Sequence, residues 1–62
     1  MYGILSLIGK KYGKDAMRRV LAVAQNFPDD RFVRSMRSPM ATDQSRLGAA
    51  EGIMQNASKY LT

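Results

Sequence analysis

The sequence predicts an all-α fold of two or three amphipathic helices, extended or weakly packed and ordered by partners. Three observations predict it. Apolar residues recur every three or four positions along most of the chain, Pro28 and Pro39 cut that pattern into segments, and no second strand-like run could pair with the apolar leader. The chain of 62 residues is read as one small helical unit, basic over 1–40 and neutral over 41–62.

The first helix is expected over about 3–27, with a soft junction at 9–13. Ile4, Leu5, Leu7 and Ile8 form an apolar leader. Gly9 and Gly13 each weaken a helix by roughly 1 kcal/mol relative to Ala. From Lys14 the pattern is firm: Tyr12, Ala16, Val20, Val23 and Phe27 share a stripe, with Lys11, Lys14, Arg18 and Arg19 mostly round the other side. A single bent helix is the alternative, since Leu5 and Ile8 lie near the edge of that stripe.

Pro28 pushes Phe27 out of helical geometry, and Asp29 or Asp30 can cap the next helix. That second helix, 30–38, sets Phe32, Val33 and Met36 against Arg31, Arg34 and Arg37, with Asp30 and Arg34 spaced to pair at i, i+4. Pro39 ends it. Thr42 or Asp43 then caps a third helix over 43–60, whose seam reads Leu47, Ala50, Met54, Ala57 and Leu61. Its other face, with Gly48 and Gly52, is small and nearly uncharged, which suits close approach of another backbone.

Composition removes most chemistry. The chain has no Cys and no His, so neither a disulfide nor a zinc site of the usual ligands is available. Asp29 and Asp30 are explained by capping, and Glu51 stands alone. Gly9-Lys10-Lys11-Tyr12-Gly13-Lys14-Asp15 fails as a phosphate loop: the glycine spacing is one residue short, and Asp15 stands where a magnesium-binding hydroxyl belongs. No enzyme, no metal and no cofactor are expected. A chain this short buries only about 60% of its unfolded surface and often needs a partner.

The net charge is +5, and all of it falls within residues 1–40, where eight basic residues meet three acids. Lys10, Lys11, Lys14, Arg18 and Arg19, with Arg31, Arg34 and Arg37 as a second row, are the candidate contacts to a polyanion. No helix-turn-helix or zinc-finger signature is present, so such contact would be to nucleic-acid backbone without sequence readout, or to an acidic surface. Ile4, Leu5, Ile8, Tyr12, Val20, Val23, Phe27, Leu47, Gly48, Gly52, Met54 and Leu61 are the candidate protein-docking positions. The functional expectation is a non-enzymatic structural or accessory subunit of a larger assembly, a virion or nucleoprotein particle, in which self-association is possible.

The alternative is a peripheral membrane protein anchored by residues 1–27. Gly3-Ile4-Leu5-Ser6-Leu7 followed by lysines resembles the start of cationic amphipathic peptides of frog skin, over five or six residues. That resemblance implies contact with an anionic membrane surface. No signal peptide and no transmembrane segment is read, which favours an intracellular or particle-associated product.

Overall fold

In the computed structural model, residues 2–61 are described, with side chains from Gly3 onward; Met1 of the apolar leader lies outside this set. Four α-helices succeed one another: α1 Tyr2–Tyr12, α2 Lys14–Asn26, α3 Arg31–Arg37 and α4 Asp43–Gln55, then a 3-10 turn at Ala57–Tyr60. No strand occurs among the described residues. The sequence expectation of two or three helices is close in kind and low in number.

Gly13 makes the extra helix. Its backbone takes φ 100° and ψ 167°, a conformation that L side chains rarely adopt, so the soft junction is one sharp break. Helical hydrogen bonding reaches it from both sides: its N–H donates to the Gly9 carbonyl at 3.1 Å, and its carbonyl accepts from the Met17 N–H at 3.2 Å. The interruption is confined to a single residue. Gly9 to Tyr12, expected to be soft, are helical.

Asp30, rather than Asp29, caps α3, its Oδ2 accepting from the Phe32 and Val33 amides at 3.0 and 3.3 Å. Thr42 caps α4 in a reciprocal box with Ser45. Arg46 ties the intervening linker down: its Nη2 donates to the Ser38 carbonyl at 3.0 Å, just past the end of α3, while its Nε is buried without a partner.

The expected third helix stops five residues early. At Asn56 the backbone leaves α geometry (φ −111°, ψ 32°), and its side-chain amide donates to the Gly52 carbonyl at 2.7 Å. Such local bonding by Asn competes with helix continuation. The redirected chain brings Tyr60 to the start of α3.

α1 packs on α2 and α3 on α4, and α4 also meets α1 and α2. Ile4, Leu5, Ile8, Val20, Ala24, Val33, Met36, Ala49, Ala50 and Ile53 form a single core. Fully burying a large aliphatic side chain stabilises by about 1.5–3 kcal/mol, so Ile8, Val20, Val33 and Ile53, each 0–1% exposed, dominate. The expectation of an extended or weakly packed chain is corrected here. The radius of gyration is 10.3 Å, against about 10.5 Å for a globular chain of this length.

The seam of α4 is rotated from its expected position. α4 turns Ala49, Ala50 and Ile53 inward, leaving Leu47 and Met54 half-buried. Gly52, read as a face for another chain, is covered from within by Phe32. A Cβ there would lie 2.6 Å from the ring, so only hydrogen fits.

Candidate functional site

All eight candidate polyanion contacts are exposed. Lys10 and Lys11 occupy the last turn of α1, Lys14 the first position of α2, and Arg18 and Arg19 the next turn. Spacing at i, i+4 aligns Lys14 with Arg18 along α2. Arg31, Arg34 and Arg37 run along the outer side of α3, away from Val33 and Met36. Among the described residues none of the eight forms an ion pair, and the one salt bridge joins Lys59 to Asp30 at 3.3 Å. Lys11 lies over the Tyr12 ring at 5.3 Å.

Some of these charges have a local structural reason and others do not. Lys10 and Lys11 close α1, and Arg34 and Arg37 close α3, where the negative end of each helix favours cations. Lys14 and Arg31 sit at the opposite ends, as the first residues of α2 and α3, where the helix dipole disfavours them. Gly13 supplies no side-chain cap to α2, so nothing local compensates Lys14 beyond Asp15 in the same turn.

The docking candidates separate into four groups. Ile4, Leu5, Ile8 and Val20 are core residues, at most 8% exposed, and the folded chain does not present them to a partner. Tyr12 and Leu47 pack half-buried against the same core; the Tyr12 hydroxyl donates to Glu51 Oε2 at 3.2 Å, which gives Glu51 a partner. Gly48 faces open space and Gly52 is filled by Phe32.

The remaining four, Val23, Phe27, Met54 and Leu61, come together. They line a cleft of about 400 Å³. Its α2 wall is Arg19, Ala22, Val23, Asn26 and Phe27, spaced i, i+3, i+4, i+7, i+8. The facing wall is Ile53, Met54, Ala57, Tyr60 and Leu61, from the end of α4 and the 3-10 turn. α2 therefore has two apolar edges. Ala16, Met17, Val20, Leu21, Val23 and Ala24 meet the core, and Val23 with Ala22 and Phe27 also lines the cleft. The sequence stripe through Val20, Val23 and Phe27 merges the two.

One polar cluster has no sequence signal. Beyond its two capping bonds, Asp30 accepts from the Tyr60 hydroxyl (Oδ2, 3.0 Å) and from Lys59 Nζ (Oδ1, 3.3 Å). Its side chain is 6% exposed. Burial pushes the carboxyl up, but the bonds from Tyr60, the Val33 amide, Lys59 and the Phe32 amide together outweigh it and hold Asp30 below its usual value. Tyr60 is pushed up to about 12, first by burial, then by its hydrogen bond to the Asp30 carboxylate and that group's charge. Phe27 meets the Tyr60 ring edge-on at 5.2 Å. The expected Asp30–Arg34 pair is replaced by this set. A contact across thirty residues leaves no periodic trace in a sequence.

The described residues contain no group of His, Cys, Asp or Glu placed to hold a metal ion, and no helix long and apolar enough to cross a membrane. No family model, curated protein or solved structure matches this chain.

Proposed function

We propose that this chain is a non-enzymatic accessory subunit of a larger assembly, such as a virion or nucleoprotein particle, with its basic rows toward a polyanion. One observation carries the reading: eight exposed Lys and Arg side chains engage no carboxylate among the described residues, and Lys14 and Arg31 sit where helix electrostatics disfavour them. A cation at a helix N-terminus weakens the helix by about 0.3–1 kcal/mol, so helix stability does not account for its place there. Nucleic-acid backbone fits, because phosphate contact needs charge and no base-reading element. Docking on protein falls to the exposed side of α4 around Gln44, Ser45 and Gly48, which is nearly uncharged.

The test is binding to a short mixed-sequence DNA duplex as a function of salt. Affinity should fall linearly on a double-logarithmic plot, by about 0.9 in slope for each phosphate neutralised. Replacing Lys10, Lys11 and Lys14 together with Gln should lower that slope by roughly 2–3. Salt-insensitive binding, or a slope the triple variant leaves unchanged, overturns the reading. Attachment to a membrane through residues 1–27 is the weaker alternative, because Ile4, Leu5 and Ile8 would first have to leave the core.

A further inference from the structure

The cleft between α2 and the C-terminal segment shares only Arg19 with the basic rows, and it has a definite shape. Its α2 wall runs from Arg19 to Phe27, about 12 Å at the helical rise. Its walls are largely aliphatic and aromatic. Among the described residues the one hydroxyl there, on Tyr60, donates its proton to Asp30 and so has none to give a ligand. A single charged side chain among the described residues lines it, Arg19, at one end of the α2 wall, and no side-chain carboxylate does.

Size narrows the possible occupants. At about 400 Å³ the cleft falls in the range of small-molecule sites, roughly 300–1,000 Å³. It is spread along a wall about 12 Å long, so an elongated small molecule fits it. A medium-length alkyl chain with a small head group has that form. Length, volume and one terminal cation agree on an elongated apolar molecule with a single negative end.

We infer that this cleft binds a medium-chain fatty carboxylate, its head at the Arg19 guanidinium and its tail along Val23, Phe27 and Met54. The guanidinium offers paired donors to a carboxylate, and the Asn26 amide is a further polar group on the same wall. An apolar slot with few polar groups is the usual form of a small-ligand site.

The experiment is calorimetric titration of the full chain with decanoate below its micelle concentration, beside decanol and decyltrimethylammonium. Decanoate should bind saturably at one per chain, more tightly than either. Arg19→Gln should weaken decanoate by roughly tenfold, as for loss of a charged hydrogen bond, and leave decanol unchanged. Ala22→Trp, at an exposed cleft position, should abolish binding of all three while far-UV circular dichroism stays native. No saturable binding overturns the inference, as does binding that Ala22→Trp leaves intact. An equal loss of decanoate and decanol in Arg19→Gln removes the head-group assignment. Self-association that Ala22→Trp abolishes and decanoate does not disturb would give the cleft to a second copy and overturn the inference.

Discussion

Gly48 and Gly52 sit one turn apart on α4, and the same substitution should stabilise at the first and not at the second. Gly→Ala in a helix interior gains roughly 1 kcal/mol from backbone entropy. At Gly48 a Cβ meets nothing within 4 Å, so that gain stands alone. At Gly52 the same Cβ would lie 2.6 Å from Phe32 Cε1 and 2.9 Å from Cδ1 and Cζ. The ring cannot stay where it is, and overpacking of this kind costs about 1–3 kcal/mol. Gly48→Ala should therefore stabilise by up to about 1 kcal/mol. Gly52→Ala should range from neutral to destabilised by about 2 kcal/mol, once the overpacking cost is set against the gain. For a domain of this size each kcal/mol moves Tm by about 4–8 °C, so thermal melts monitored by circular dichroism resolve the pair. A double-mutant cycle adds the cause: in a Phe32→Leu background, Gly52→Ala should recover most of its loss. Equal shifts for the two alanines, or no coupling to position 32, would refute the close approach of ring and backbone.

The Asp30–Tyr60 cluster predicts stability limits at both ends of the pH scale. The folded pKa of Asp30 is depressed, so its contribution is present above about pH 4 and is lost as pH falls through the lower folded value. Asp30→Asn keeps a capping side chain but loses the charge; it should cost about 1 kcal/mol at neutral pH and flatten the acid limb of a denaturant-midpoint profile. Tyr60 is raised to about 12, so its contribution is complete below the unfolded tyrosine value near 10 and disappears as pH climbs to about 12. Tyr60→Phe should lose that alkaline dependence, and a profile identical to the parent's would contradict the bond to Asp30. Gly13→Ala should destabilise by about 1–3 kcal/mol, because φ 100° is a backbone state alanine rarely adopts, and urea unfolding measures it.

Much of this architecture is legible in the sequence because it depends on local rules. Spacing of apolar residues, Pro28 and Pro39 as breaks, and Thr42 as a cap each act over a few positions. α3 and the start of α4 lie where those rules put them, while the split at Gly13 and the early end of α4 do not. The break at Gly13 is visible as a weak point; its sharpness is not, since a glycine can be accommodated in a helix or can end one. The end of α4 at Asn56 depends on a side chain turning back to the Gly52 carbonyl and on Tyr60 finding Asp30. Only the second of these is non-local, and it is the one that periodicity cannot register.

By itself, the sequence determined a helical chain with its cations on outward faces, because helical period and charge position suffice for both. Tertiary structure decided which apolar residues are available to anything else. Ile4, Leu5, Ile8 and Val20 are equivalent to Val23, Phe27, Met54 and Leu61 as hydrophobic residues. The first set closes on itself in the core, while the second lines a cleft with Arg19 at one end. That division comes from how four helices meet in three dimensions, where a helix with a broad apolar arc can bury only the part its neighbours reach.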